Sequence, residues 1–259
     1  MTVLFHASDL HFGRVNPDVA RALLAEINKV KPTLAVLTGD FTQVGSREEF
    51  AQAREFLNGL PCPYFAVPGN HDIPARNLLR RFTDPYGLYR EYITDDLFPI
   101  YEDDSFFIVG LNTARPIIPH WNWANGKISR TQIDTIEGLF QRAQPTQWKI
   151  LVCHHPLYAM VDTPIDTFVW RAGRLRAALR RAGVHMIMTG HIHHAAVTFD
   201  KENDKGLYHI GAASAFSTRL RTQGNGYNLI RATPDQADVT LMTWKDGNFQ
   251  ESEKHVIYR

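Results

Sequence analysis

The stretch Tyr64-Phe65-Ala66-Val67-Pro68-Gly69-Asn70-His71-Asp72 joins a short apolar run directly to a cluster of polar side chains. A continuous apolar run of this length is typical of a strand buried on both faces, and the polar cluster then marks the loop at its carboxyl end. Four more apolar runs end in the same way: Val3–Ala7, Leu34–Leu37, Ile150–Cys153 and Met186–Met188. We therefore predict five strands whose polar loops meet at one edge of the fold.

Segments with helical spacing separate these strands, and a different pattern follows them. The helical segments are Asp18–Val30, Ser46–Leu57, Ser129–Gln141 and Arg171–Arg181. From Ala195 onward the chain is typical of mainly antiparallel strands: Ala195–Phe199, Leu207–Ile210, Tyr227–Arg231 and Val239–Trp244. This alternation predicts an α/β fold with helices covering the sheets, and no linker divides residues 1–259 into two domains.

Residues 76–125 contain several prolines and aromatic residues without a clear period. We interpret them as a cap, a long excursion over the site that sets substrate choice. Its aromatic rings offer faces on which a base or a sugar could stack: Tyr86, Tyr89, Tyr92, Trp121 and Trp123. The alternative is that these rings only pack the excursion against the domain.

Composition gives no sign of several classes of partner. The chain has 28 Lys and Arg against 27 Asp and Glu, so no charge surplus favours nucleic acid or an anionic membrane. No signal peptide and no apolar stretch of membrane-spanning length are visible, and two cysteines are too few for a disulfide framework. A cytoplasmic protein is the expectation, and the sequence does not distinguish a monomer from a homo-oligomer.

The polar clusters supply a set of metal ligands without a thiolate. Seven residues are candidates: Asp9, His11, Asp40, Asn70, His154, His191 and His193. Carboxylate, amide and imidazole groups in this number suit two divalent ions per chain, which could be manganese, iron, zinc or cobalt. In Asp9-x-His11 and His191-x-His193, an extended chain would place both side chains on one side. Asp40 could give one oxygen to each ion.

The remaining histidines and the basic helix have less specific interpretations. His6, His185 and His209 are interpreted as structural, and Cys153 as a core residue facing away from His154. His155 and His194 adjoin candidate ligands and could support them from outside. The arginines of 171–181 are interpreted as a solvated face rather than a nucleic-acid patch.

The chain resembles the calcineurin-like metallophosphoesterase superfamily in five segments that occur in the family's order: Asp9-Leu10-His11, Gly39-Asp40, Gly69-Asn70-His71-Asp72, His154-His155-Pro156 and Gly190-His191-Ile192-His193. The resemblance implies a four-layer αββα sandwich with a dinuclear metal site at the strand carboxyl ends. It assigns one ion to Asp9, His11, Asp40 and His193, and the other to Asp40, Asn70, His154 and His191. His71 would contact the phosphate and assist the leaving oxygen, with Asp72 orienting it.

Differences from the motifs of individual families place the chain within this superfamily. Protein serine/threonine phosphatases continue Gly-Asp to an Asp-Arg-Gly motif, and purple acid phosphatases place a tyrosine at the position of Gln43; neither feature is present. Lipid A pathway hydrolases tend to carry arginine in place of His71. The chain is most similar to class III cyclic-nucleotide phosphodiesterases and glycerophosphodiesterases, although their usual aspartate at position 43 is Gln43 here.

We therefore expect a metal-dependent phosphodiesterase acting on a small diester, in which a metal-bridging hydroxide attacks phosphorus in line. Two ions bring a charge of about +4, and Asp9, Asp40 and the hydroxide leave about +1, which matches a diester better than a monoester dianion. Arg14, Arg76 or Arg219 could alter this count by folding in from a loop. The alternatives are a nucleotide pyrophosphatase, a phosphomonoesterase, a nuclease and a non-catalytic scaffold that binds a partner.

Overall fold

The computed structural model describes residues 2–118, 120, 122–158, 169–202 and 205–259. The strands of this part of the chain are β1 (Thr2–Ala7), β2 (Leu34–Leu37), β3 (Tyr64–Ala66), β4 (Ile100–Glu102), β5 (Phe106–Leu111), β6 (Gly126–Lys127), β7 (Trp148–Cys153), β8 (Val169–Trp170), β9 (Met186–Thr189), β10 (Ala196–Glu202), β11 (Lys205–Gly211), β12 (Gly226–Ala232), β13 (Gln236–Lys245) and β14 (Asn248–Tyr258). Its helices are α1 (Pro17–Val30), α2 (Arg47–Asn58), α3 (Leu78–Thr83), α4 (Gly87–Tyr92), α5 (Arg130–Phe140) and α6 (Ala172–Arg181).

Two sheets of six strands form the centre of the fold. The first has the order β14-β13-β12-β1-β2-β3, and the second has the order β10-β11-β9-β7-β5-β4. Strands β1, β2 and β3 are parallel to one another, as are β5, β7, β9 and β11. The parallel strands of each sheet therefore end at one edge, where the predicted polar loops lie.

Three apolar clusters define the layers. Between the sheets, alternate residues such as Leu4 and Val36 pack against Ile150 and Met188. On the outer face of the first sheet, Phe5 and its neighbours pack against α1 and α2. The outer face of the second sheet packs against α5 and α6. The protein is thus a mixed α/β fold with the layers helix, sheet, sheet, helix, as expected from the sequence.

The four long helices begin and end close to the predicted positions, because local capping signals fix their first turns. Ser46 and Glu49 form a capping box at the start of α2, and Ser129 and Gln132 form another at the start of α5. The Asn16 side chain accepts hydrogen bonds from the first main-chain N–H groups of α1. Among the described helices, none is both long and apolar enough to cross a membrane.

The predicted excursion at 76–125 needs a correction. Strands β4 and β5 lie inside it, and β5 is a fully buried member of the second sheet that pairs in parallel with β7. The described residues on either side of these strands lie outside the two sheets, with α3 and α4 in the segment before β4. The run Phe106–Leu111 has the apolar character of a buried strand. It was not predicted as a strand because prolines and aromatic residues surround it.

Candidate metal centre

All seven predicted ligands lie in loops that directly follow the parallel strands, and their side chains converge. Five of them have left-handed backbone conformations, with φ of 53° at Asp9, 47° at His11, 55° at Asp40, 69° at His191 and 55° at His193. The sequence-based expectation of an extended chain at Asp9-x-His11 and His191-x-His193 is therefore wrong. Left-handed residues other than glycine cost about 1–3 kcal/mol each, and such strain concentrates at functional sites.

The glycines of these loops allow the ligands to approach one another. Gly39 has a φ of 91°, and a Cβ on it would lie 2.7 Å from the main-chain nitrogen of Gly69. A Cβ on Gly69 would lie 2.1 Å from Oδ1 of Asp40. We number the polar loops in chain order, so the second follows β2 and the third follows β3. Glycine is required where these two loops cross, because any side chain would displace Asp40.

The first group of ligand atoms contains Asp9, His11 and His193. Their ligand atoms lie within 4.8 Å of one another, and all three side chains are buried. Nε2 of His11 is 3.3 Å from Nε2 of His193, and Oδ1 of Asp9 is 3.1 Å from the latter. This carboxylate oxygen is buried and has no hydrogen-bond partner among the described residues. Buried acceptors without donors are costly, and a shared cation would satisfy all three.

The second group contains Asn70, His154 and His191. Oδ1 of Asn70 lies 3.1 Å from Nε2 of His154 and 3.0 Å from Nδ1 of His191. The three atoms come from loops that are far apart in the sequence, after β3, β7 and β9. An amide oxygen and two ring nitrogens are a suitable ligand set for a second borderline divalent ion.

Asp40 lies between the two groups. Its Oδ2 is 3.7 Å from Nε2 of His11 and 3.3 Å from Nε2 of His154, whereas its Oδ1 accepts the main-chain N–H of His71 at 2.8 Å. This contact set differs from the expectation that each oxygen serves a different ion. A single oxygen, Oδ2, faces both groups, because the other is held by the third polar loop.

Main-chain carbonyls fix the orientation of three of the candidate imidazoles. Nδ1 of His11 donates to the Thr42 carbonyl at 3.1 Å, and Nδ1 of His154 donates to the Thr38 carbonyl at 2.7 Å. Nδ1 of His193 donates to the Arg219 carbonyl at 2.9 Å. A carbonyl only accepts, so Nδ1 carries the proton and Nε2 is left as the ligand atom that faces the centre. The residues therefore fit a pair of metal ions.

The pKa shifts of the candidate ligands arise from burial and from the charges of their neighbours. Burial lowers the pKa of His11 to about 3, against the opposing charges of Asp40 and Asp9. Burial alone would raise the pKa of Asp40, but the His154 and His71 imidazoles hold it well below its usual range. At His154 burial is outweighed by the Asp40 carboxylate, which raises the pKa of the ring to about 9. Without a metal, Asp40 thus attracts a proton onto a ring that an ion would require deprotonated.

His71 lies beside the first group, with its ring centroid 4.9 Å from that of His11. Nδ1 of His71 donates to the main-chain carbonyl of Gln43 at 2.7 Å. Nε2 then accepts from Nη1 of Arg219 at 2.5 Å. Arg219 is one of the three arginines expected to be able to fold in from a loop, and it lies beside the centre. No local pattern in the sequence selects Arg219 over the others.

Asp72 has a different contact set from the one implied by the family resemblance. Its Oδ1 accepts from the main-chain N–H and the hydroxyl of Thr42, and its Oδ2 accepts from the main-chain N–H of Gly69. No hydrogen bond joins it to the His71 ring, which Gln43 orients instead. Asp72 therefore connects the second and third polar loops. Burial, reinforced by the charge of Asp40, raises the pKa of Asp72.

His155 supports both ligands of the second group. Its ring lies 4.9 Å from that of His154 and 4.6 Å from that of His191 between centroids. Nε2 donates to the Ala124 carbonyl at 2.7 Å, and Nδ1 accepts from the Thr113 hydroxyl at 2.7 Å. Both ring nitrogens are engaged, so His155 packs against the ligands and does not add another ligand atom.

Several other histidines, Cys153 and the basic helix have largely the environments that the sequence predicts. His6 is buried and contacts Thr38 and Asn228, while the half-buried His194 bonds Thr222 and Gln223, away from the centre. Cys153 is buried in the cluster under α5 and α6. In the basic helix, Arg180 pairs with Asp200 and Arg181 pairs with Glu137, which accounts for those charges without a nucleic-acid partner.

The aromatic residues predicted as stacking faces have mixed outcomes. Tyr89 is fully buried, and Tyr92 packs against the cluster beneath α2. The Tyr86 hydroxyl donates to the Ala114 carbonyl at 2.6 Å. Trp123 is 40% exposed, with Arg81 above its ring at 5.6 Å from the centroid. Trp121 lies outside the described residues.

The chain is similar to several known proteins. Residues 2–195 match the sequence profile of the calcineurin-like phosphoesterase family. A probable cyclic nucleotide phosphodiesterase of Synechococcus sp. is 26% identical over 188 residues, which are 71% of this chain and 67% of that protein. A probable glycerophosphodiester phosphodiesterase of Arcobacter nitrofigilis is 29% identical over 189 residues, which are 70% of this chain and 66% of that protein.

A solved structure shares the overall fold. It is a dimetal phosphatase from Danio rerio, with a TM-score of 0.72 at 14% identity over 99% of this chain and 98% of that chain. At this identity the likeness concerns the fold alone, including the C-terminal strands that lie beyond the family match.

Proposed function

The chain belongs to the calcineurin-like phosphoesterase family and is a phosphoric ester hydrolase, and we propose that it is a dinuclear-metal phosphodiesterase acting on small diesters. The observation that carries the proposal is the meeting of two ligand groups at one carboxylate oxygen, Oδ2 of Asp40. This arrangement suits two ions that share a bridging ligand, which is the arrangement used for in-line displacement at phosphorus.

We assign one ion to Asp9, His11, Asp40 and His193, and the other to Asp40, Asn70, His154 and His191. When bound, the two ions would lower the pKa of a water molecule and stabilise charge on the phosphoryl oxygens. Manganese, iron, zinc and cobalt all suit these carboxylate, amide and imidazole ligands.

The chain's own residues position the reaction. The Thr42, Thr38 and Arg219 carbonyls hold three imidazoles in the tautomer that binds an ion through Nε2. Asp72 fixes the loop that carries Asn70 and His71, and Gln43 orients the His71 ring. We propose that His71 contacts the phosphate and gives a proton to the leaving oxygen. For this, Nε2 has to gain a proton and Arg219 has to turn away from it.

The substrate class rests on similarity to the two relatives named as phosphodiesterases. A cyclic nucleotide and a glycerophosphodiester are both monoanionic diesters, in agreement with the charge expected for the loaded centre. Phosphomonoester and pyrophosphate hydrolysis are the alternatives. Arg219 gives them support, because a guanidinium beside the centre could neutralise a further negative charge.

The test measures how fast the metal-loaded protein hydrolyses each member of a panel of substrates. The panel contains cyclic nucleotides, glycerophosphodiesters, dinucleotides and monoesters. With one nitrophenyl leaving group, we expect kcat/KM for bis(nitrophenyl) phosphate to exceed that for nitrophenyl phosphate at the same pH and with the same metal. A clear preference for the monoester would contradict the proposed diester specificity. Absence of turnover on the whole panel would favour the scaffold alternative.

A further inference from the structure

A cavity of about 300 Å³ opens beside the first ligand group, and we call it the arginine pocket; it is lined by Arg14, Gln43, Thr218 and Arg219. It adjoins the centre directly. Two of its lining residues hold opposite nitrogens of the His71 ring, the Gln43 carbonyl at Nδ1 and the Arg219 guanidinium at Nε2. The Arg219 carbonyl also accepts from His193. A group bound in this pocket would therefore be close to the proposed scissile phosphorus.

The walls of the pocket are built by main-chain contacts. The carbonyl of Arg14 accepts from the main-chain N–H of Thr218 at 2.6 Å and from its hydroxyl at 3.1 Å. The N–H of Arg14 donates to the His11 carbonyl at 2.8 Å, and the N–H of Arg219 donates to the Ser217 hydroxyl at 3.0 Å. The loops carrying the two arginines are thus connected to each other and to the metal-ligand loop. Their side chains remain available to the cavity.

The charge of the pocket is not balanced by protein groups. In the part of the chain that the structure describes, neither Arg14 nor Arg219 forms an ion pair with a carboxylate. Arg221, near Arg219, adds further positive charge, although it does not line the cavity. Gln43 contributes a carboxamide whose Oε1 has no hydrogen-bond partner, and the opposite end of a carboxamide is a donor.

We propose that the arginine pocket binds a second phosphoryl group of the substrate, distal to the diester that is cleaved. Guanidinium groups pair with phosphate oxygens through two parallel N–H donors, and a pair of arginines suits a phosphate dianion. The charges also match. The loaded centre contributes about +1 and the two arginines about +2, against a diester of about −1 and a terminal phosphate of about −2.

This inference rests on the proposed function and narrows it. A plain diester such as bis(nitrophenyl) phosphate leaves both arginines without a partner, whereas a diester that also carries a phosphate monoester engages them. Binding of that phosphate would draw Arg219 away from Nε2 of His71. With a nitrophenyl leaving group, which departs without a proton, the release of His71 should not change kcat. A change in the arginines of the pocket should then appear in KM more than in kcat.

The experiment compares two synthetic esters with the same leaving group, 3-methoxypropyl nitrophenyl phosphate and 3-phosphonooxypropyl nitrophenyl phosphate, with manganese-loaded protein. We expect the KM of the phosphorylated ester to be about one tenth of the KM of the methoxy ester, or lower still. Hydrogen bonds to charged groups have effects of this size. In Arg14→Gln this advantage should largely disappear, so that the KM values of the two esters become similar. The replaced side chain is exposed, and the contacts that build the pocket wall use its main chain.

Arg142→Gln is the matched control, because this exposed arginine follows α5 at the opposite end of the strands from the centre. It removes the same charge and should keep the full advantage of the phosphorylated ester. Equal KM values for the two esters in the unchanged protein, or an advantage that survives in Arg14→Gln, would overturn the inference.

Calorimetry separates this inference from the proposed function. Binding of 1,3-propanediol bisphosphate should be about tenfold tighter than binding of propyl phosphate in the unchanged protein. The difference should be lost in Arg14→Gln and retained in Arg142→Gln. If neither ester is hydrolysed, the proposed function fails, while the calorimetric comparison still supports or overturns the pocket.

Discussion

At the scale of single residues, Asp40 connects the most parts of the centre. Its Oδ2 faces both ligand groups, and its Oδ1 holds the loop of Asn70 and His71 through one main-chain N–H. Asp9 has a related but smaller role, because its Oδ1 lies 3.1 Å from Nε2 of His193 and its Oδ2 accepts the main-chain N–H of His191. The two carboxylates therefore predict different losses of metal.

His71 is the residue whose chemistry can be tested by the choice of leaving group. If the ring protonates the leaving oxygen, His71→Ala should slow an alkyl diester by about 100-fold or more. A nitrophenyl diester should be slowed much less, because nitrophenolate departs without a proton. The measurement is kcat for both substrates in His71→Ala, with His194→Ala as a control from outside the centre. Equal losses on both substrates would leave His71 with phosphate positioning only.

At the scale of elements, the loops differ most from what the sequence predicts. The apolar runs and polar clusters were sufficient to predict the five strands that precede the candidate ligands and the convergence of the seven side chains, since burial and strand ends are local patterns. The left-handed conformations of residues such as Asp9 and His193 were not predictable, because other loops impose them. The contacts of Asp72 and Arg219 were not predictable either, because they join residues distant in the sequence.

The cap remains a proposal, in the reduced form of the segments that flank β4 and β5. Five aromatic residues of the cap were predicted as stacking faces. Among those that the structure describes, Trp123 is the exposed one. If it contacts the substrate, Trp123→Ala should raise KM for the physiological diester severalfold and leave a minimal nitrophenyl diester unaffected. Tyr258→Ala, which removes an exposed ring from β14, is the control. Similar losses on both substrates would show that Trp123 packs the cap.

Strand β11 contains a buried histidine that should make stability depend on pH. His209 is fully buried, its ring nitrogens have no hydrogen-bond partner among the described residues, and burial lowers its pKa from 6.5 to about 4. Between these values the unfolded chain binds a proton that the folded chain does not. The free energy of unfolding therefore has its full value, as far as His209 is concerned, above pH 6.5. It decreases as the pH falls toward 4.

The shift corresponds to a loss of about 3 kcal/mol in the free energy of unfolding over that range. Denaturant unfolding of the protein and of His209→Leu at several pH values should show a smaller decline in the variant. His255→Leu, on the outer strand β14, should decline as the unchanged protein does. Parallel curves for His209→Leu and the unchanged protein would contradict this assignment.

At the scale of the whole molecule, the two sheets bring loops from five strands to one edge and leave the arginine pocket beside them. The apolar periods predicted an α/β fold with helices covering the sheets, and the family resemblance implied the four layers. The sequence did not predict β5, whose apolar run lies among prolines, or the position of Arg219, which follows the last polar cluster by 26 residues. The fold rather than a motif therefore places the Arg219 charge beside the centre.

The metal content of the protein is the most direct test of the dinuclear centre. Elemental analysis after loading with manganese or zinc and removal of free metal should give about two ions per chain, since seven ligands exceed what one ion needs. Asp40→Ala should lose both ions, whereas Asp9→Ala should retain about one. One ion or none in the unchanged protein, or two ions in Asp40→Ala, would contradict the account.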